Sequence, residues 1–302
     1  MGRTVVAAAA PAEGSPACRL ALGHSPPGDL GGRAEHLLRL VASGDFDPAG
    51  LLVAHRGGIA VGAIAAQVLA GGTGVLMPPF APDATTCNAL VIAALDHFRR
   101  AGVVVAHCSL TATQQSLVAP LLHGGFRHLT QIHHMLRRGS APPPPPASAG
   151  LTFAPYSDAR ESEFAETLRR TYTGSLDLPE ATVDRPAQQL LVGYRYGQPD
   201  PPHWWLAEGD AGEPVGLVVL SELEAPGVWE VAYLGVVPER RGRGYGRSLL
   251  RFAIAEARRA GAEDLSLAID GRNGPAFHLY TGHSFRVYES QELYLRRLEV
   301  PA

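Results

Sequence analysis

The sequence predicts an α/β protein built from two similar halves. Its 302 residues are enough for two domains of ordinary size. Residues 140–150 separate the halves, and the five consecutive prolines in this stretch form a semi-rigid spacer with no packing face of its own. The same order of predicted elements occurs on both sides of the spacer, which indicates an architectural repeat. We therefore predict domains at 1–139 and 151–302, joined by a proline-rich linker at 140–150.

In the first half, β-branched and apolar runs predict strands, and apolar residues at helical spacing predict helices. The expected helices cover 33–41, 85–100 and 114–123. The expected strands cover 51–54, 60–69, 73–78 and 103–107. The last helix is expected to end at the glycine pair before Phe126, because glycine commonly terminates helices.

The second half begins with a predicted strand at 151–156 and a helix that opens at Ser157 and runs towards Arg170. A helix at 186–194 and strands at 203–207, 215–223 and 227–236 follow, the last two separated by a turn that contains Pro226. The remaining predicted elements are a helix ending near Gly261, a strand at 265–269, a helix at 273–282 and an alternating strand at 285–298.

The repeat consists of a strand, a proline, a helix, Ala-Gly, an apolar strand, a helix, a small residue and Phe. The first copy contains Val75, Pro78, Ala101-Gly102 and Gly125-Phe126. The second copy contains Val231, Pro238, Ala260-Gly261 and Ser284-Phe285. The two copies lie about half the chain apart, as expected for a duplicated fold.

Composition excludes several classes of protein. Hydrophobic residues make up 46% of the chain and charged residues 18%, which is typical of a soluble globular protein with an ample core. A net charge of −3 argues against a nucleic-acid surface. All 26 basic residues are arginine, a bias expected of a GC-rich genome, so each single arginine carries less functional weight than usual.

The cysteines and the apolar runs bear on cellular location. Cys18, Cys87 and Cys108 are widely spaced and odd in number, so we expect neither a disulfide framework nor a zinc site, and the cytoplasm is the expected compartment. Residues 1–11 hold one charge and a short apolar run, too weak for a convincing secretion signal. No stretch approaches about 18 uninterrupted apolar residues, so no membrane span is expected.

The stretch from Val231 to Leu250 carries the clearest functional signal. It predicts a strand that stops at Pro238, a glycine-rich loop and the start of an amphipathic helix. Loop glycines let the backbone turn tightly and approach a ligand without hindrance from a Cβ atom. Unpaired N–H groups at the helix N-terminus and neighbouring arginines form an anion site suited to a pyrophosphate. The glycines are Gly242, Gly244 and Gly246, and the arginines are Arg240, Arg241 and Arg243.

Other phosphate-binding loops fit this stretch less well. A Walker A loop requires lysine, and the chain contains none. A dinucleotide fingerprint needs the spacing G-x-G-x-x-G, which these glycines do not have, and no acidic residue ends a suitable following strand. A purely structural turn is the remaining alternative.

Arg241 to Gly246 fits the pattern Q/R-x-x-G-x-G/A directly after a strand end, and this resembles motif A of the GNAT superfamily of acyl-CoA-dependent N-acetyltransferases. The resemblance implies two tandem GNAT folds, each a mixed, mostly antiparallel sheet flanked by helices. It also implies acetyl-CoA as the acyl donor, with the preceding strand splayed from its neighbour to pair with the pantetheine arm. The implied coenzyme A contacts are Leu234, Gly235 and Val236 along the pantetheine and Arg241, Gly242, Arg243, Gly244, Tyr245 and Gly246 at the pyrophosphate.

A second segment, from Asn273 to Phe285, resembles motif B of the same family, N-x-x-A-x-x-x-Y-x-x-x-G-F, with Ser284 in place of its last glycine. The resemblance implies that Tyr280 is the general acid at the coenzyme A sulfur and that Asn273 contacts the coenzyme. The two residues are two helical turns apart and are expected to face the same side. The alternative for Tyr280 is a helix-surface tyrosine that packs on the sheet.

Glu230 is the candidate general base, because histone-type members of the family carry a glutamate at the matching strand position. It lies four residues before Leu234, so strand alternation predicts that both side chains share one face. The alternative is an exposed strand glutamate without a catalytic role. Another common base position, on the following strand, holds Ala268, and Asp270 lies beyond the expected strand end.

The first half lacks the features of the anion site. Its matching loop, from Phe80 to Asn88, has neither glycine nor arginine, so we expect a degenerate copy that binds no coenzyme A and shapes the substrate cleft or an interface. The overall layout resembles tandem GNAT proteins such as the mycothiol synthases. The family resemblance is specific over 215–297 and only architectural elsewhere.

A group of histidines, a pair of tryptophans and a polar segment are the remaining notable features of the sequence. The four histidines between His123 and His134 lack a metal-ligand pattern, so no metal is expected. Trp204 and Trp205 straddle a strand, and we expect one ring in the core. The polar segment 171–180 is expected to form an acceptor-side wall.

The sequence therefore predicts direct acetyl transfer to an amine. The residues are compatible with a small-molecule or a peptide amine as the acceptor, and no nucleic-acid or membrane partner is expected. The alternative is an acyl-CoA-binding sensor without transfer activity. A scaffold made of two inactive folds conflicts with the intact loop that ends at Gly246.

Overall fold

The computed structural model describes residues 3–10, 13–23, 30–69, 72–142, 150–182, 186–195, 203–223 and 225–299. The chain divides into two compact units. Unit 1 comprises the residues up to Thr130 and those from Gln291 onward, and unit 2 comprises Gln131–Ser290. Residues 143–149, most of the predicted linker, lie outside the described residues.

Helices and strands alternate along the whole chain. The first half forms β1 (Thr4–Ala8), α1 (Gly14–Ala21), α2 (Leu30–Ser43), β2 (Leu51–Arg56), β3 (Ile59–Leu69), β4 (Thr73–Leu76), α3 (Ala84–Arg100), β5 (Val105–Thr111), α4 (Val118–His123) and β6 (Arg127–Arg137). The second half forms β7 (Thr152–Pro155), α5 (Glu161–Tyr172), α6 (Pro179–Thr182), α7 (Ala187–Arg195), β8 (Trp204–Glu208), β9 (Pro214–Glu222), β10 (Val228–Val236), α8 (Tyr245–Arg259), β11 (Asp264–Asp270), α9 (Gly274–Thr281) and β12 (Arg286–Arg297).

In unit 1 the strand order is β1-β2-β3-β4-β5-β12, and only β4 and β5 run parallel. Helix α3 packs on one face of this sheet through Leu90, Ala94 and Phe98, which recur at helical spacing and are fully buried. The other face is covered by α1 and α2, where Cys18 and Leu37 belong to a second buried cluster. The mostly antiparallel sheet between helices confirms the predicted fold class for this half.

In unit 2 the strand order is β6-β11-β10-β9-β8-β7, and only β10 and β11 run parallel. Helix α8 packs on one face, where Leu250 and Ile254 meet the buried residues of β9 and β10. Helices α5 and α7 cover the other face through Phe164 and Leu190. The order β9, β10, α8, β11, α9 repeats the order β3, β4, α3, β5, α4 of unit 1, so the predicted repeat is present in the structure.

Two strands are shared between the units in sequence. The end of β12, Gln291–Arg297, pairs with β5 in unit 1. The end of β6, from Ile132 to Arg137, pairs with β11 in unit 2. The compact units therefore differ from the predicted sequence domains at these strand ends, and the domain limits themselves stay a prediction.

Four of these elements were not expected from the sequence: β1, α1, β6 and the short α6. The predicted helix at 114–123 is divided into a 3-10 segment, Ala112–Leu117, and α4. The non-helical backbone of Gln114 explains this division, because its side chain turns back to accept a hydrogen bond from the N–H of Thr111, 2.8 Å away.

The structure shows the state of the three cysteines, the length and polarity of the helices, and the grouping of side chains that could bind a metal. Cys18, Cys87 and Cys108 are all free and buried. Among the described residues, no helix is both long and apolar enough to cross a membrane. Within the same ranges, no group of three or more His, Cys, Asp or Glu side chains is arranged to hold a metal ion.

Candidate active site

The central strands of unit 2 separate at the predicted motif A. Strands β10 and β11 pair only from Val228 to Glu230, with Asp264 to Ser266 as their partners. Beyond this point β10 continues to Val236 against β9, and β11 continues to Asp270 against β6. The last six residues of β10 therefore have a backbone edge towards β11 that no strand fills. Such an edge presents hydrogen-bonding groups that an extended ligand can satisfy.

A β-bulge in β10 changes which residues share a face. The pairing of β10 with β9 shifts between Val231 and Tyr233, so Ala232 is the additional residue. A one-residue insertion exchanges the two faces of a strand beyond it. Leu234 therefore packs with the α8 cluster, and Glu230 lies on the opposite face with Tyr233. The expectation that Glu230 and Leu234 face the same side is wrong.

The glycine loop leads directly into the N-terminus of α8. Gly242 and Gly244 have φ angles of 73° and 85°, which glycine adopts at little cost and other residues rarely adopt. Space beside both is open, because a Cβ atom on either would meet no atom within 4 Å. Within the described part of the chain, the backbone N–H groups of Gly242, Arg243 and Gly244 donate to no carbonyl. With the first N–H groups of α8, they form an unfilled set of donors.

The arginines near the loop have different partners. Arg241 donates to the carbonyl oxygens of Val236, Gly174 and Thr171 at 3.0, 3.0 and 2.7 Å. Arg240 is paired with Glu213 at 2.8 Å. Arg243 is exposed and has no hydrogen-bond or ion-pair partner among the described residues. Arg243 is therefore the arginine of this loop that is available to an anion, and Arg241 fixes the loop to its surroundings.

Tyr280 lies on α9 in the core of unit 2, with 9% of its surface exposed, and its ring packs against Phe285. Its hydroxyl makes no hydrogen bond within the described residues. Burial, and to a lesser extent the carboxylate of Asp177, raise the pKa of this hydroxyl well above its usual range, so it keeps its proton at neutral pH. Asn273 caps the same helix, because its Oδ1 accepts a hydrogen bond from the N–H of Ala276 at 3.3 Å.

The face of the sheet that carries Glu230 is open over β11. Ala268 is exposed although β11 is an interior strand with neighbours on both sides. By register, Ala268 lies on the same face as Ser266, the partner of Glu230. Burial raises the pKa of Glu230, and its charge acts on Tyr288, which is 60% exposed. The small residues Ser266 and Ala268 thus line this face of β11 beside the half-buried carboxylate of Glu230.

The segment between α5 and α6 lies at the ends of the two separated strands. Near its start, the carbonyls of Thr171 and Gly174 accept hydrogen bonds from Arg241, which also binds the carbonyl of Val236 at the end of β10. Near its end, the carboxylate of Asp177 accepts a hydrogen bond of 2.9 Å from the N–H of Asp270, the last residue of β11. This segment, predicted as the acceptor-side wall, is thus fixed to both strands.

Sequence reasoning missed the polar cluster at the end of β11. Asp270 is fully buried and binds the guanidinium of Arg272 through both oxygens, and Arg272 also forms a bidentate pair with Glu180 at 2.7 and 2.9 Å. The sequence pattern that could have indicated this cluster is an acidic residue, Asp270, two positions before a basic residue, Arg272, at the end of an apolar strand. Asp270 is committed to this pair and is not a free base.

Unit 1 repeats the geometry of unit 2 without its anion site. Strands β4 and β5 pair over three residues, from Thr73 to Val75. Helix α3 then begins with Asp83, whose carboxylate accepts a hydrogen bond from the N–H of Thr86 at 2.8 Å and pairs with Arg56 at 2.8 Å. The Arg56 guanidinium and the Thr86 N–H lower the pKa of Asp83 to about 2. A permanent anion of the protein itself therefore occupies this helix N-terminus.

The fold and the site together define an α/β domain in which a splayed parallel strand pair lies beside an uncapped helix N-terminus. Residues 163–285 match the model of the Acetyltransferase (GNAT) family, so the C-terminal part of the chain carries a GNAT domain. This confirms the family resemblance of motifs A and B.

The known proteins that are similar to this chain match different shares of its length. A mycothiol acetyltransferase of Streptomyces bingchenggensis (strain BCW-1) is 34% identical over 102 residues, which cover 33% of this chain and 33% of that protein. The match thus spans about a third of the relative's length. A GCN5-related N-acetyltransferase from Sphaerobacter thermophilus has a TM-score of 0.71 at 19% identity, covering 99% of this chain and 98% of its own.

A tandem GNAT protein from the clavulanic acid biosynthesis pathway has a TM-score of 0.63 at 15% identity, with full coverage of both chains. Structures this distant in sequence share the fold and no more. The full coverage nevertheless confirms the predicted tandem GNAT layout.

Proposed function

We propose that this protein is an N-acetyltransferase that moves the acetyl group of acetyl-CoA directly to an amine, with the chemistry in unit 2. The observation that carries the proposal is the splayed end of β10 beside the glycine loop. An open strand edge suits an extended amide-containing arm, and the free N–H groups at the start of α8 suit a pyrophosphate. Coenzyme A contains both groups, because its pantetheine arm is joined directly to the pyrophosphate.

The proposed cofactor site uses backbone more than side chains. The N–H groups from Gly242 to Gly246 would hold the pyrophosphate, with Arg243 as an added charge. The backbone of Leu234, Gly235 and Val236 would pair with the pantetheine arm. Gly235 suits this position because a Cβ atom there would lie 2.7 Å from the Tyr233 ring and 2.8 Å from Thr171. Arg241 fixes the loop to neighbouring carbonyls, and Asn273 caps the start of α9.

Two side chains carry the two proton transfers of the proposed reaction, Glu230 as the base and Tyr280 as the acid. Acetyl-CoA supplies a thioester carbonyl that the neutral amine attacks. Glu230, whose pKa is raised by burial and which is therefore a stronger base than an ordinary glutamate, accepts the amine proton, directly or through water. N–H groups at the end of β10 polarise the carbonyl oxygen. Tyr280 gives its hydroxyl proton to the departing thiolate, and the free hydroxyl has no competing acceptor in the described chain.

The remaining parts of the proposal concern unit 1, partners and location. We infer that unit 1 binds no coenzyme A, because the carboxylate of Asp83 already occupies the N-terminus of α3, where it accepts from the N–H of Thr86 and pairs with Arg56. The acceptor is a small-molecule or peptide amine, and we place the protein in the cytoplasm without a nucleic-acid or membrane partner. Along the sequence we place the domain limits at 1–139 and 151–302, with the end of β6 completing the sheet of unit 2. An acyl-CoA sensor without transfer activity is the rival function, and it predicts binding without turnover.

The cofactor site can be tested with paired glycine variants. Gly244→Val forces a β-branched residue into a φ of 85° at the proposed pyrophosphate site, and strain of this kind costs about 1–3 kcal/mol. Gly212→Val imposes similar strain at a φ of 77° in an exposed turn of the same unit. We expect calorimetry to show coenzyme A binding to the wild type and to Gly212→Val, and none to folded Gly244→Val. Equal binding by both variants would refute the site.

A further inference from the structure

Asp177 is a half-buried carboxylate at the proposed active site that has only one of its two oxygens engaged. Its Oδ1 accepts the hydrogen bond from the N–H of Asp270 at 2.9 Å. Its Oδ2 has no partner among the described residues. Burial, as the largest cause, raises the pKa of this carboxyl, which is the expected behaviour of a desolvated carboxylate without a paired cation.

The position of Asp177 links it to the reacting groups. It follows the segment that Arg241 fixes to the end of β10, and its own hydrogen bond fixes it to the end of β11. Its charge acts on the hydroxyls of Tyr194, Tyr233 and Tyr280. Asp177 is therefore near the proposed general acid, where the two strands have separated.

The neighbouring charges do not neutralise Asp177. The nearby cation is Arg272, but its guanidinium is bonded to both oxygens of Asp270 and both oxygens of Glu180. Three carboxylates thus share one guanidinium, and Asp177 is the one that is not hydrogen-bonded to it. A cationic ligand would supply the missing partner and restore the charge balance.

The charge of Asp177 acts on two members of an aromatic group, Tyr194 and Tyr233. The rings of Tyr172 and Tyr194 pack against Tyr233 with centroids 5.3 and 5.5 Å apart. The hydroxyls of Tyr172 and Tyr194 are 2.7 Å apart, so they satisfy each other. Aromatic rings in the surroundings of a carboxylate add a weaker attraction for an ammonium group, which a neutral polar group does not gain.

We propose that Asp177 binds the ammonium group of the acceptor, and that the protein selects strongly basic primary amines, which are cations at neutral pH. This assignment rests on the proposed acetyltransferase function. Asp177 holds the cation by a charge-assisted hydrogen bond through Oδ2, and Glu230 remains the group that takes the proton. Asp177 is thereby a specificity-determining residue of unit 2.

Asp177→Asn tests the assignment with little change in shape. The amide oxygen of asparagine can still accept the hydrogen bond from the Asp270 N–H, so the segment keeps its anchor. Asp210→Asn is the matched control, because it removes the same charge from an exposed turn of unit 2. Acetyl-CoA turnover is measured in the full-length chain by thiol release, with benzylamine and lysine amide as cationic acceptors and aniline as a neutral one.

For cationic acceptors we expect Asp177→Asn to raise KM roughly ten- to a hundredfold, the range for losing a hydrogen bond to a charged group, with a much smaller change in kcat. Aniline should show no such increase, and Asp210→Asn should behave as the wild type. Coenzyme A affinity should be the same in all three proteins. An unchanged KM in Asp177→Asn, or a wild type that prefers aniline, overturns the assignment.

A binding measurement separates this inference from the proposed function. If coenzyme A binds but no acceptor is acetylated, transfer fails, yet thermal unfolding in the presence of benzylamine still reports on Asp177. The inference requires that the amine raise the Tm of the wild type and of Asp210→Asn but not of Asp177→Asn. If coenzyme A does not bind, the proposed function fails and the same comparison decides the cation site. Equal Tm shifts, or no shift in any of the three proteins, would reject Asp177 as the ammonium site.

Discussion

At the scale of single residues, Tyr280 combines two properties that a general acid requires. Burial raises its pKa, so the hydroxyl keeps its proton throughout the neutral range. The hydroxyl also has no hydrogen-bond acceptor within the described chain, so the proton is not committed elsewhere. Burial would also raise the pKa of a tyrosine that only packed on the sheet, so the uncommitted hydroxyl is the property that distinguishes Tyr280 as a candidate general acid.

We expect Tyr280→Phe to bind coenzyme A normally and to lose turnover by about 10²–10⁴-fold, the usual contribution of one acid–base group. The phenylalanine ring preserves the contact with Phe285 and removes only the hydroxyl. Steady-state kinetics and calorimetry on the same preparation give the two readouts. Full turnover in Tyr280→Phe would assign the tyrosine to packing alone.

Glu230→Gln should slow turnover for the opposite reason, since it removes the proton acceptor. A base acts in its deprotonated form, so the wild-type rate should fall as pH drops through the raised pKa of Glu230, and the variant should lack this acidic limb. Raising the pH should partly rescue the variant, because more of the amine is already neutral, and should not rescue Tyr280→Phe. Glu222→Gln, exposed on β9, is the control. An acidic limb that persists in Glu230→Gln would assign it to another group.

The sequence predicted the glycine loop at the start of α8 but not the orientation of the strand residues beside it. The pattern from Arg241 to Gly246 correctly predicted a loop of positive-φ glycines at a helix start. Counting along a strand placed Glu230 beside Leu234, and the bulge at Ala232 reverses that result. A bulge is decided by pairing with β9, and single-strand periodicity does not report it. Likewise, Arg241 suggested an anion ligand, whereas three nearby carbonyls bind it instead.

At the scale of elements, the N-termini of α3 and α8 show how one architecture acquires or lacks an anion site. Helix α8 follows Gly244, which has no side chain to cap it, and so its first N–H groups stay free. Helix α3 follows Asp83, whose carboxylate takes the N–H of Thr86 and the guanidinium of Arg56. The uncapped N-terminus of α8 is locally less stable but leaves N–H donors for a ligand. At α3, a side chain of the protein itself caps the N-terminus.

We therefore expect Asp83→Ala to destabilise the protein without creating coenzyme A binding. The folded pKa of Asp83, about 2, is below its ordinary value of 3.8, so its contribution to stability is present above the ordinary value and is lost as pH falls towards about 2. Calorimetric unfolding should show a lower Tm for Asp83→Ala at neutral pH and a smaller difference in acid. Asp96→Ala, which removes an exposed carboxylate paired with Arg99 on the same helix, should change Tm less. Equal Tm values for both variants would contradict this role of Asp83.

Most elements followed from periodicity, and those that were missed have weak patterns. Strands such as β3 and β9 and helices such as α3 and α8 carry long apolar runs or clear helical spacing, and their predicted bounds agree within a few residues. Strand β6 has polar Thr130 and Arg137 at buried positions, so its alternation is hidden. Arg137 is accommodated because it donates to the carbonyl of His283 at 3.1 Å. Such compensation becomes visible only after the chain has folded.

At the scale of the whole molecule, the proline-rich linker is a poor guide to where the chain can be cut. A cut within the linker separates the end of β6, which precedes the linker in sequence, from the rest of unit 2. Strand β6 pairs with β11 over six residues, from Ile132 to Arg137, and places the fully buried Met135 in the core that contains Tyr280. Losing β6 would leave β11, the strand that forms one side of the proposed active site, as an unpaired edge.

Two fragments test this point. We expect fragment 131–302 to unfold cooperatively and to bind coenzyme A, and fragment 149–302 to be unstable and not to bind. Both lack the partner of the last seven residues of β12, so their difference isolates the contribution of residues 131–148. Removing Met135 alone exposes a core position whose truncation typically costs about 2–5 kcal/mol, a large part of the stability of one domain. Circular dichroism melting and calorimetry would measure both effects, and a fragment 149–302 that melts and binds like 131–302 would show that β6 is dispensable for the site.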